Sequence, residues 1–295
     1  MPLLTRTPRR LAAALVVTAA GFTALQAVPA QAVNRSVPTA EARAAGVATD
    51  NAPMGWKQYD DRQPAGQQQQ QQGRVGTLAV KKKAFVPAGV LGVDVSSWQG
   101  NLSWTAQAAL GKQFAYVKAT EGTGYKNPYF KAQYKGAYKA GLIRGAYHFA
   151  RPANSSGKAQ AAYFVKNGGG WSADGHTLPG VLDIEYNPYG ATCYGLSKAK
   201  MTAWVKSFIV EYKRLTKRDA VIYTTTDWWT RCTGNTKSFS KTNPLWLARY
   251  GTTTPGTLPG GWGWATFWQY STSPIDQNRF SSSYARLVVL AKNAS

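Results

Sequence analysis

Residues 180–186 read GVLDIEY, an apolar run of strand-forming character broken by Asp183 and Glu185. On a strand, positions i and i+2 project to one face, about 6.6 Å apart along the chain. The two carboxyls therefore point together, while Leu182, Ile184 and Tyr186 take the other face. Leu182 and Ile184 suit packing against helices, which turns the acids toward whatever the sheet encloses. Two unpaired carboxylates inside a fold cost several kcal/mol unless a shared proton, hydrogen bonds or a cation offset them.

Working outward, strand-like runs at 90–96, 114–120, 143–150, 181–186 and 220–226 alternate with helix-like stretches at 104–111, 128–140, 157–166 and 197–216. Strand and helix taking turns is the pattern of parallel βαβ units. After Thr226 the pattern changes. Runs at 245–250 and 266–271 still read as strands, but the Gly-, Pro- and Thr-rich link between them has no helical period. The expected fold is α/β: an irregular TIM-like β/α barrel whose later strands lack helices. A doubly wound nucleotide-binding sheet is the competitor, yet no strand is followed by a complete G-x-G-x-x-G or G-x-x-x-x-G-K-[ST].

The chain begins with a basic patch (Arg6, Arg9, Arg10), an apolar run over 11–25 and the small-x-small triplet Ala30-Gln31-Ala32. Residues 1–32 are expected to be a signal peptide, giving a secreted product that is extracellular or associated with the cell wall. An uncleaved anchor is disfavoured, because ~15 apolar residues fall short of the ~20 that a spanning helix needs. Residues 33–88 lack hydrophobic periodicity and carry six consecutive glutamines, Gln67 to Gln72, and the cluster Lys81 to Lys83. They read as a disordered tether or pro-region. Residues 89–295 suit one domain and show no internal repeat.

The 295 residues hold 35 Lys plus Arg against 13 Asp plus Glu, a formal charge of +22, which calls for a polyanionic partner. Residues 89–295 contribute 24 basic and 9 acidic residues, so the excess is not confined to the tail. The basic residues are scattered and carry no nucleic-acid-binding motif, which argues against nucleic acid. Two cysteines, Cys193 and Cys232, are expected to be bridged in an oxidising exterior, with buried thiols as the alternative. Neither has a partner at zinc-ligand spacing, so no metal site is assigned.

Asp94, within the strand-like GVDVS, and Asp276, just after WQY, join Asp183 and Glu185 as acids on or beside strands, where a solvated acid has little reason to be. Carboxyl ends of barrel strands are where functional residues collect. Glycoside hydrolysis needs neighbouring acids: one carboxyl of raised pKa protonates the leaving oxygen, and another stabilises or traps the cationic sugar. Glu185, with the longer reach, is the candidate acid. An ion-pair cluster in which Lys118 neutralises one acid is the structural alternative; a hard-cation site ranks third, lacking any calcium-loop spacing. Eleven Trp and 16 Tyr, among them Trp98, Tyr147, Trp246, Tyr250 and Trp268 near strand ends, suit sugar faces or core packing. His148 reads as a hydrogen-bonded wall residue.

Six ordered motifs carry a resemblance: GVDVSSWQG (92–100), FAYVKATEG (114–122), IRGAYHFARP (143–152), LDIEY (182–186), PLWLARYG (244–251) and FWQYS (267–271). Together they resemble the glycoside hydrolase family 25 lysozymes, muramidases that cleave the β-1,4 bond between N-acetylmuramic acid and N-acetylglucosamine in peptidoglycan. The resemblance implies five βα units followed by strands without helices. Asp183 and Glu185 would be the central catalytic acids, Asp94 and Asp276 would flank them, and Tyr147 would line the cleft. Lys118, Trp246, Tyr250, Trp268 and Gln269 are the further substrate-binding candidates. The attack implied is either by the substrate's 2-acetamido group or by an activated water. No cofactor is implied. Peptidoglycan glycan strands and anionic wall polymers are the expected partners of a monomer. A non-catalytic wall-carbohydrate-binding protein on the same scaffold is the alternative.

Overall fold

A computed structural model describes residues 36–59 and 85–292; the expected signal peptide and the glutamine run lie outside the described residues. In chain order the elements are α1 (Ala40–Ala44), β1 (Val90–Val95), α2 (Trp104–Ala109), β2 (Lys112–Glu121), β3 (Tyr125–Lys126), α3 (Phe130–Lys139), β4 (Ile143–Phe149) and α4 (Gly157–Phe164). There follow β5 (Val181–Asp183), α5 (Lys198–Thr216), β6 (Val221–Thr224), α6 (Thr226–Thr233), β7 (Leu245–Ala248), β8 (Phe267–Ser271), β9 (Gln277–Phe280) and α7 (Tyr284–Lys292).

Eight strands close on themselves in the order β1-β9-β8-β7-β6-β5-β4-β2, with β1 pairing β2 to complete the ring. The short β3 only extends β2. Pairing is parallel from β1 through β2, β4, β5, β6, β7 and β8. Strand β9 runs antiparallel to both β8 and β1. Five strands are each followed by a helix (β1–α2, β2–α3, β4–α4, β5–α5, β6–α6), and β7, β8 and β9 follow one another without helices. This is the irregular barrel expected from the sequence.

Alternation along each strand divides the core in two. Phe114, Tyr116, Tyr147, Val181, Tyr223, Trp246 and Phe267 fill the barrel interior. Leu182 and Ile184 face outward and pack with Met201, Val205 and Phe208 of α5. Helix α5 starts where the Ser197 side chain accepts from the Lys200 amide and stops at Lys217, whose φ of 60° breaks the helical geometry. His148, on the outward face of β4, bonds Thr120 through Nδ1 and Gln160 through Nε2. Burial lowers its pKa to about 3, so it is a neutral wall residue, as its sequence position suggests. Cys193, in the loop after β5, is disulfide-bonded to Cys232 at the end of α6.

Several elements, among them β3, α6, β9 and α7, have no counterpart in the runs read from the sequence. Strand β9 reads QNRF: its inward position Asn278 is polar, so no apolar period marks it. Helix α7 packs Leu287 and Ala291 onto the interior cluster and is held by Arg218, which donates to the Leu290 carbonyl at 2.9 Å.

A correction concerns residues 36–59, which the sequence presents as part of a disordered tether. They are folded onto the barrel: α1 is capped by Thr39, and Ala42, Ala52, Met54 and Trp56 are buried. The segment gains its order from the barrel surface and not from any period of its own. The remainder of that tether, 60–84, lies outside the described residues.

Candidate active site

Strand β5 ends at Asp183, and Glu185 follows two residues later, both at the carboxyl end of the barrel strands. Each is completely buried. Among the described residues, no N–H or hydroxyl donor serves either oxygen of Asp183 or Oε2 of Glu185. Asp183 instead faces the Glu185 carboxyl, a contact that becomes a hydrogen bond only when a proton is shared. Burial, and then the neighbouring Glu185 charge, push the Asp183 carboxyl well above the usual range. Burial also raises Glu185, to about 8, against the opposing effects of a hydrogen bond from the Gly55 amide and the Lys118 charge. Glu185 is thus protonated at neutral pH and has a proton to give.

Asp94, on the inward face of β1, accepts from Gln269 Nε2 at 2.8 Å and from Asn278 Nδ2 at 2.7 Å, both on Oδ2. Burial raises its pKa to about 6, and these bonds hold it from rising further, so Asp94 is largely ionised at neutral pH. Asp276, in the turn between β8 and β9, is pushed well above the carboxylate range by burial and by Asp94 and Glu185. Four crowded carboxyls cannot all ionise, and the environment separates one anion from its proton-bearing neighbours.

Gln269 is the hub of this network: its amide N–H serves Asp94, and its carbonyl accepts from Tyr223 at 2.7 Å and from the Tyr250 hydroxyl. Trp246 lies beneath, donating to Asn278 Oδ1 at 3.0 Å and packing against Tyr116 and Tyr223. Tyr147, buried on β4, has its ionisation suppressed by burial and by the nearby Asp94, Asp183 and Asp276. Trp268 alternates away from Gln269. It donates to the Arg249 carbonyl at 2.9 Å and lies against Phe85.

Lys118 does not directly pair with Asp183 or Glu185. Its ammonium contacts Glu121 Oε2 at 2.6 Å, both side chains being fully buried. Glu121 also accepts from Tyr189 at 2.7 Å and stands 3.6 Å from Arg151. Glu121 is absent from the sequence-based candidates, although its place at the last position of β2 carries the same signal as Asp183. Among the described residues, no group of three or more His, Cys, Asp or Glu is arranged to hold a metal ion.

Carboxyls of divided protonation at the strand ends of a β/α barrel, beside tyrosine hydroxyls and amide groups, define a glycoside hydrolase. The profile of the Glycosyl hydrolases family 25 matches residues 93–278. Lysozyme M1 of Streptomyces globisporus is 53% identical over 216 residues, 70% of this chain and 73% of that protein. An N,O-diacetylmuramidase of a Chalaropsis species is 49% identical over 185 residues, 62% of this chain and 88% of the relative. Among solved structures, the bacterial lysozyme from Streptomyces coelicolor superposes with a TM-score of 0.69 at 53% identity, covering 70% of this chain and 99% of that one. The chain belongs to glycosyl hydrolase family 25.

Proposed function

We propose that the chain is a secreted muramidase that hydrolyses the β-1,4 bond between N-acetylmuramic acid and N-acetylglucosamine in peptidoglycan, with Glu185 as the general acid. The observation that carries the assignment of roles is the Asp183–Glu185 pair, buried side by side with Glu185 raised to about 8. Protonation of the leaving glycosidic oxygen by Glu185 produces a sugar with oxocarbenium character, which an ionised carboxylate stabilises. Asp94, held ionised by Gln269 and Asn278, supplies that charge. Asp183, beside Glu185, orients the attacking group, whether the 2-acetamido oxygen or a water. Asp276, Tyr147, Tyr250, Gln269 and Lys118 complete the sugar-binding wall; Trp246 supports it from below.

Names of the similar proteins, a lysozyme and an N,O-diacetylmuramidase, support this substrate. Secretion is supported by the basic and apolar pattern of residues 1–32. Among the described residues, no helix is long and apolar enough to cross a membrane. Product analysis tests the reading: purified walls digested by the protein release new reducing ends at muramic acid. A protein that binds walls and releases none is the non-catalytic alternative.

The charge of residues 89–295 supports long-range attraction to anionic wall polymers. Surface attraction of this kind weakens as the screening length falls from about 8 Å at physiological salt to about 3 Å at 1 M. Raising the salt releases the protein from intact walls; undiminished binding would contradict the electrostatic account.

A further inference from the structure

Complete burial of Asp183 and Glu185 is at odds with a site that must admit a polymer, and the chain's own segment Asn51–Lys57, sequence NAPMGWK, lies against Glu185. The Gly55 amide donates to Glu185 Oε1 at 2.6 Å. The backbone of Ala52 spans the Lys118–Glu121 pair: its N–H donates to Glu121 Oε2 at 2.9 Å, and its carbonyl accepts from Lys118 Nζ at 2.6 Å. Met54 is buried in the interior cluster with Tyr147, Tyr223 and Trp246. Trp56 is buried in the same outer cluster as Ile184 and donates through Nε1 to the Tyr186 carbonyl at 2.9 Å.

The fit at Gly55 is close. Its φ is 72°, and a Cβ there would lie 2.2 Å from the Tyr250 hydroxyl and 2.9 Å from that of Tyr223. Only glycine combines that backbone with that approach. The segment is also tied down away from the acids: Asp50 pairs with Arg151 at 3.1 Å, Lys57 pairs with Glu41 at 3.0 Å, and the Thr39 amide donates to the Pro188 carbonyl at 2.9 Å.

We propose that residues 36–59 are an intramolecular inhibitor, seated in the substrate cleft and displaced before peptidoglycan enters. The reason is chemical as well as steric. The Gly55 N–H takes up Glu185 Oε1, and its peptide stands where a glycosidic oxygen would have to approach that carboxyl. Met54 and the Ala52 peptide meanwhile take up the space and the polar partners open to a sugar. This inference rests on the muramidase reading, since occlusion has an effect on activity only if the acids hydrolyse.

The test uses the full chain and its variant M54D/W56A, which places a charge among carboxyls and removes the Trp56 anchor without touching the hydrolytic residues. Turnover is followed as reducing ends released from purified peptidoglycan, and hydrogen exchange is followed at the Ala52 and Gly55 amides. If the open form is a tenth or less of the population, the variant turns over about tenfold faster or more. A synthetic peptide of residues 36–59 added to the variant returns it toward the parent rate, which also shows that the variant is folded. Protected amides in the parent and exposed ones in the variant, with that rise, support the inhibitor. Equal turnover of parent and variant, or unprotected Ala52 and Gly55 amides in the parent, overturns it. The same exchange difference with no reducing ends from either protein, peptide or not, supports occlusion and overturns the muramidase reading instead.

Discussion

Gln269 Nε2 donates to Asp94 Oδ2 at 2.8 Å, so a glutamine on β8 sets the charge of an aspartate 175 positions earlier on β1. The same oxygen accepts from Asn278, and these two bonds are the foremost of those that restrain the rise that burial imposes on Asp94. Removing either donor, as in Q269L or N278L, favours the protonated carboxyl and raises the Asp94 pKa above about 6. The acid limb of the rate profile, where Asp94 must be ionised, then moves to higher pH. A pH–rate series for wild type and both variants checks this; unmoved limbs would detach Asp94 from catalysis.

Stability carries the signature of the Asp183–Glu185 pair. Glu185 titrates at about 8 in the folded state against 4.5 ordinarily, so between those values the folded protein binds protons that the unfolded chain has released. The unfolding free energy therefore falls as pH rises across that window. Asp183, raised in the same direction, adds to the slope. Chemical denaturation at intervals from pH 4.5 to 8 should show the decline in wild type and a flatter profile in E185Q, whose amide does not titrate.

Lys118 and Glu121 form a fully buried pair at 2.6 Å. Removing one partner strands the other, which costs about 3–5 kcal/mol in such settings, while replacing both with neutral groups costs less than the sum. K118M should therefore be strongly destabilised and K118M/E121Q partly restored. A double-mutant cycle by denaturant melting measures the difference; strict additivity would show that the pair is not energetically coupled.

Much of the architecture is legible in the sequence because its signals are local. Leu182 and Ile184 alternate with Asp183 and Glu185, and that alternation matches the division between helix-facing and interior cores. The helix-like run 197–216 matches α5, whose start the Ser197 side chain caps. Less legible were features set by distant partners. Asn278 of β9 faces inward because Asp94 and Trp246 satisfy it, which no local period reports. Lys118 is directed by Glu121 and not by the central acids. Residues 51–57 have no regular period, and their order depends on Glu121, Glu185 and Tyr186, all more than 60 positions away.

The most direct test of the account is the rate at which E185Q releases reducing ends from purified peptidoglycan, measured beside wild type in the M54D/W56A background to keep the cleft open. Glutamine keeps the size and hydrogen bonding of Glu185 and has no proton to transfer. The account predicts a fall of about 10²- to 10⁴-fold, the range that general acid catalysis contributes, with the melting transition retained. Turnover within a few-fold of the parent, in a folded E185Q protein, would contradict it.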